Sequence, residues 1–205
     1  MTRVPFFQFD PIQPWLHPDD PEWLSLTRAV DGGPPRLSTA CTLFYDATSF
    51  YAHFRFEDDE IVAKMLDRDD PLHEEDVLEL FLSTGDRSRY CEFQISPLGT
   101  LFDAMVHSPE GQRATMTVDR GWNCDGLQGS VKRERFRGSL WLSHVILAVP
   151  FDGLGARAAR GDIWYGNLFR IDRGGVEAEF LAWRPTRRDP PDFHVPAEFD
   201  QFVFE

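Results

Sequence analysis

Glu79 and Glu92 stand in two separate segments of alternating apolar and polar residues, so both could fall on one sheet face at cross-strand distance. Paired carboxylates roughly 5–9.5 Å apart are what glycoside hydrolysis requires. The same two groups, with the Gln94 amide, could instead hold sugar hydroxyls by directed hydrogen bonds, or could be ordinary surface residues. Arg170 and Asn167, in a further strand-like segment, add a bidentate donor and a second amide. Trp183 ends the alternation Glu179, Leu181, Trp183; its indole could stack on the apolar face of a pyranose or pack in the core.

Other chemistry finds less footing. The acidic run Glu57-Asp58-Asp59-Glu60, followed by Asp67, Asp69, Asp70, Glu74, Glu75 and Asp76, offers oxygen ligands that could hold a structural calcium ion. It has no EF-hand register, and solvated loop charge is the simpler account. His17, His53, His73, His107, His144 and His194 are scattered without the close pairing of a zinc enzyme. Neither a Gly-x-Ser-x-Gly elbow nor a phosphate-cradling loop is present, so nucleophilic catalysis has no support and the metal ligands stay undefined. Cys41 and Cys91 fall inside apolar strand patterns, where reduced buried thiols are expected, and Cys124 makes the count odd. The basic stretch Lys132 to Arg137 alternates as a solvated strand face would.

The elements that must position these groups follow from a period of two. Phe50, Ala52, Phe54 and Phe56 alternate with Tyr51, His53 and Arg55; Leu78, Leu80 and Leu82 alternate with Glu79 and Phe81. Cys91, Phe93 and Ile95 share one side of the next segment, with Glu92 and Gln94 opposite. Further strands are predicted over 101–107, 127–135, 140–149, 163–172, 177–183 and 201–204. Residues 1–36 read as an irregular Pro-rich segment packed on the rest, with one short helix over Pro21 to Val30. The expectation is an all-β, two-layer antiparallel β-sandwich with very little helix, spanning 1–205 as a single domain whose sandwich occupies 37–205. The leucine pattern also predicts that Glu79 and Gln94 point away from the core side by side, with Arg170 as the partner of Glu79.

The chain carries 34 acidic residues against 21 Lys plus Arg, a formal net charge of −13, with a sequence pI near 4.8. That balance argues against nucleic acid and anionic membranes as partners, since both need a basic footprint. No apolar run approaches the roughly 18–20 residues that span a bilayer. The first residues lack an apolar leader, so the cytoplasm is the default location, or the outside of the cell if a leader has been trimmed.

Several segments taken in order resemble the family 9 carbohydrate-binding modules and their DOMON-type relatives, whose sandwiches are immunoglobulin-like or jelly-roll-like. Leu43-Phe44-Tyr45-Asp46 through Phe50-Tyr51-Ala52-His53-Phe54 is similar to the family's first hairpin, and Glu75-Asp76-Val77-Leu78-Glu79-Leu80-Phe81-Leu82 to its next strand. Tyr90-Cys91-Glu92-Phe93-Gln94-Ile95-Ser96-Pro97-Leu98-Gly99-Thr100 with Asp103, Val149-Pro150-Phe151, Trp164 to Arg170 and Trp183-Arg184-Pro185-Thr186 continue the likeness. The resemblance implies a noncatalytic sandwich that binds a mono- or oligosaccharide in a shallow cleft, with structural calcium in some members. It places Glu79 at the module's hydrogen-bonding Glu, Gln94 at a ligand-binding Arg, and Trp183 at one of two stacking tryptophans. The second stacking position falls at Leu72 or His73, neither of which is Trp. The roles it implies are Trp183 as platform, Glu79, Gln94, Arg170 and Asn167 as hydroxyl partners, and His73 at the rim. Two alternatives stay open: a haem-binding electron-transfer domain drawing on Met65, Met105 or Met116 with His73, His107 or His144, or an interaction sandwich with no small ligand.

Overall fold

A computed structural model describes residues 1–15 and 21–205. His17 and Pro18 lie outside the described residues. In chain order the strands are β1 (Thr2–Val4), β2 (Leu24–Ser25), β3 (Thr27–Arg28), β4 (Thr39–Tyr45), β5 (Ser49–Asp58), β6 (Val77–Ser83) and β7 (Arg89–Ile95). They continue as β8 (Leu101–His107), β9 (Thr117–Asp119), β10 (Gln128–Arg135), β11 (Trp141–Pro150), β12 (Ile163–Asp172), β13 (Glu179–Ala182) and β14 (Asp200–Phe204). The larger sheet runs β1-β14-β12-β6-β7-β8-β9, with β13 also on β12 and β3 on β13; the smaller runs β10-β11-β5-β4-β2. The expected all-β sandwich is what the chain forms.

The helix expected over Pro21 to Val30 does not form. Leu24–Ser25 instead adds an edge strand to β4, and Thr27–Arg28 pairs with β13 in the other sheet, so this segment crosses from one layer to the other. Leu24 and Leu26 are buried between the layers while Ser25 between them points to solvent, an alternation of two that outweighs local helix propensity.

Alternation also fills the space between the sheets. Leu78, Leu80 and Leu82 of β6 and Cys91, Phe93 and Ile95 of β7 meet Phe50, Phe54 and Phe56 of β5 and Val145, Leu147 and Val149 of β11. Each such apolar side chain contributes roughly 1.5–3 kcal/mol on burial. All three cysteines are buried and free.

The larger sheet is buried on its outer face too. Val77, Phe81, Tyr90, Phe102, Phe169 and Ile171 pack there under Phe193 and Phe199 from the chain that leads into β14. This explains why every residue of Val77–Ser83 is buried, whichever way it points. On the opposite layer, Phe7, Phe9 and Trp15 of the Pro-rich segment cover Phe44 and Tyr51.

Candidate functional site

β6 and β7 pair antiparallel with Glu79 opposite Gln94 and Phe81 opposite Glu92. Directly opposed residues share a face, so Glu79, Glu92 and Gln94 converge on the outer side of the larger sheet. The covering chain leaves a cavity of about 280 Å³ above them. Its walls are Phe102, Ile171, Phe180 and Phe193; His73, Arg113, Arg120, Arg173 and His194 stand around it.

The floor is polar and tightly enclosed. The Gln94 amide nitrogen donates to Glu92 Oε1 at 2.6 Å, and its carbonyl oxygen is buried with no hydrogen-bond partner. His194 Nδ1 lies 2.8 Å from the Tyr90 hydroxyl, which leaves Nε2 facing Glu92 Oε2 at 3.8 Å. Burial, with the nearby Arg113 charge, pushes the His194 pKa down to about 4, so this ring is neutral at physiological pH. Burial raises the Glu92 carboxyl to about 7. Burial, with the charge of Glu92 added, holds Glu79 well above the usual carboxylate range. Two carboxyls sharing a poorly solvated floor cannot both ionise cheaply.

A stability signature follows. A carboxyl whose folded pKa is raised stabilises the fold fully below its unfolded value and loses that contribution as pH climbs through the folded value. Glu92 shifts from 4.5 to about 7, so the thermal midpoint is expected to fall between about pH 5 and about pH 8. The Glu79→Gln/Glu92→Gln double variant should show a shallower decline. A midpoint that rises across that window in the unmodified protein would contradict the assignment.

Of the residues singled out in the sequence, the cavity gathers Glu79, Gln94 and His73. It does not gather Arg170, Trp183 or Asn167. Arg170 lies opposite Leu78, one register step from the Phe169–Glu79 pair, and therefore points between the sheets. There Nη1 donates to Thr39 Oγ1 and the Glu57 carbonyl, both at 2.9 Å, and Nη2 to Asp58 Oδ2 at 2.9 Å. The expected pairing of Arg170 with Glu79 is thus corrected: the two occupy opposite faces. Trp183 keeps the parity of Leu181 and enters the inter-sheet core, where it stacks on Phe202 at 5.8 Å between ring centroids. The Arg184 guanidinium sits 4.3 Å from its ring centroid, and only 8% of the residue is exposed, so it offers no open platform. Asn167 shares the outer face, but its amide clamps the Arg184 backbone through Nδ2 to the carbonyl at 2.8 Å and Oδ1 from the N–H at 3.0 Å.

Glu92 belongs to the floor, and its parity with Gln94 already signalled this in the sequence. Phe180 comes from β13, on the face opposite Leu181, whereas Arg113, Arg120, Arg173 and Phe193 had no such signal, because irregular segments between strands bring them in.

Asp58, Asp76 and Asp172 place carboxylate oxygens within 4.8 Å of one another at the buried end of the sandwich. The donor set does not fit a calcium ion. Asp76 accepts backbone N–H groups of Val62 and Arg173 at 2.7 Å each, and Asp172 accepts from Gly174 and from Arg36. Arg170 lies against both Asp58 and Asp172 and already supplies the positive charge. For haem, Met116 and His73 do share the cavity, but its two-carboxyl floor and arginine rim are unlike the apolar slot that chemistry needs.

Fold and site together define a two-layer β-sandwich with a small cavity, polar at its floor, on the outer face of its larger sheet. The chain belongs to carbohydrate-binding family 9, whose model matches residues 38–204, and is a carbohydrate-binding module. An extracellular protein of the fungus Arthroderma benhamiae is 24% identical over 193 residues, 88% of this chain and 85% of that protein. A candidate carbohydrate-binding protein from Bacteroides uniformis superposes with a TM-score of 0.76 at 16% identity, over 100% of this chain and 99% of that one. A family 9 module from Caldicellulosiruptor kristjanssonii, solved with glucose, gives 0.58 at 13% identity over 99% and 94% of the two chains. A family 9 module from the same organism, solved with cellotriose, gives 0.58 at 11% identity, over 100% and 93%. These structural likenesses concern the fold.

Proposed function

We propose that the protein binds a saccharide without transforming it, in the cavity over β6 and β7, as a single DOMON-type module spanning 1–205. Glu79, Glu92 and Gln94 are the hydroxyl partners, Phe180 and Phe193 supply the apolar wall, and His73 stands at the rim. The observation that carries this reading is the buried, unpartnered carbonyl oxygen of Gln94 beside Glu79, whose carboxyl makes no hydrogen bond among the described residues. Buried polar groups are ordinarily satisfied, and a bound hydroxyl array would satisfy both. A cavity of about 280 Å³ is at the small end of ligand sites and suits one pyranose ring rather than a polymer laid along a cleft.

Calorimetric titration with a panel of mono- and disaccharides tests the reading. Leaving a buried polar partner unmatched costs about 1–3 kcal/mol, so Glu79→Ala, which removes the hydroxyl partner, should weaken binding by roughly 5- to 100-fold. Silence across the panel at millimolar sugar, or an unchanged affinity in Glu79→Ala, would remove it.

A further inference from the structure

We infer that the saccharide this cavity takes carries an anionic substituent: a pyranose bearing a carboxylate or a phosphate. The inference rests on the proposed sugar site and names its ligand class. In a chain of net charge −13, three arginines nevertheless stand around one small cavity. Only Arg113 among them is neutralised by a carboxylate, through Nε and Nη2 to Asp192, each at 2.8 Å. Arg173 donates Nη2 to the His73 carbonyl at 2.8 Å, which leaves its charge uncompensated, and its Nε is buried without a partner. Arg120 makes no hydrogen bond or ion pair among the described residues.

Two positive charges at the mouth of a partly enclosed site favour an anion there: neither is held in an ion pair, and the buried Glu92 carboxyl on the floor feels Arg120 only through space. Arginine is the side chain best suited to a planar carboxylate or a phosphate, since its donors form a fixed fork. The carboxyl floor and the arginine rim divide the recognition. Ring hydroxyls go to Glu79, Glu92 and Gln94, and the anionic group goes to Arg120 and Arg173. A neutral hexose would satisfy the floor and leave the rim idle.

The test compares matched sugars by calorimetry on the full chain at one ionic strength: glucose with glucuronate, galactose with galacturonate, and glucose 6-phosphate as the phosphate arm. We expect an acidic member to bind about tenfold or more tighter than its neutral counterpart. Its advantage should shrink with added salt, and whichever anion ranks first names the source. Arg120→Gln should collapse the acidic-to-neutral ratio toward one, and Arg120→Lys should restore part of it. Equal binding of acidic and neutral sugars, or a ratio that Arg120→Gln leaves intact, overturns this inference while the saccharide reading stands. No binding by any of the five sugars overturns both.

Discussion

Arg170→Met is expected to cost about 3–5 kcal/mol of folding stability, the range for removing one partner of a buried ion pair. At about 2–4 °C per kcal/mol for a chain of this size, the thermal midpoint should drop by on the order of 10 °C. Arg170 is 1% exposed, and its guanidinium packs 4.5 Å from the Phe56 ring centroid and joins the layers by bonding residues of β4 and β5 from a position on β12. Its removal leaves Asp58, Asp76 and Asp172 facing one another at 0–1% exposure. Burial already raises Asp58 to about 7 despite the charge of Arg170, so the variant should escape part of its penalty by taking up a proton. Its midpoint should therefore recover on going from about pH 8 to about pH 5, more steeply than that of the unmodified protein. Adding Asp58→Asn to Arg170→Met should restore part of the loss. A loss below about 1 kcal/mol would show that the cluster is hydrated rather than held dry by Arg170.

That residue also shows where the sequence could be read and where it could not. Each strand reveals its own two faces, so Leu78, Leu80 and Leu82 against Glu79, and Phe93 against Gln94, were legible before any coordinates. A strand does not reveal its register with a neighbour. A one-residue difference decides whether Arg170 lies beside Glu79 or behind it, since it moves every side chain to the other face. Inter-strand pairing sets that difference, and Phe169 opposite Glu79 is the pair that does so. The second limit was the covered outer face. Alternation marks one side of a strand as apolar, but Val77, Phe81 and Tyr90 interrupt the polar side of β6 and β7. Those interruptions are the trace of the segment carrying Phe193 and Phe199, which lies more than a hundred residues further along the chain. The rim arginines are beyond such reasoning, because turns with no periodicity deliver them.

Trp183→Ala should cost about 3–5 kcal/mol, the range for truncating a buried aromatic to a methyl group. The argument is one of parity and neighbours. Leu181 is fully buried between the layers, Trp183 lies two residues on, and its backbone N–H still donates to the Leu168 carbonyl at 2.9 Å, so the chain stays tied to β12 one residue past the end of β13. The ring meets Phe202 on β14, two strands from β6 across β12, and so braces the edge where three strands converge on β12. Trp183→Phe keeps most of the apolar area and should cost clearly less, about 1–2 kcal/mol. The two variants separate a core residue from a sugar platform. A platform would lose affinity in Trp183→Phe with little change in midpoint, because an exposed indole contributes little to folding. A core residue lowers the midpoint in both variants, in order of volume removed, and leaves the affinity of the folded Trp183→Phe protein within about twofold. Chemical denaturation with sugar titration on the same two proteins decides between them.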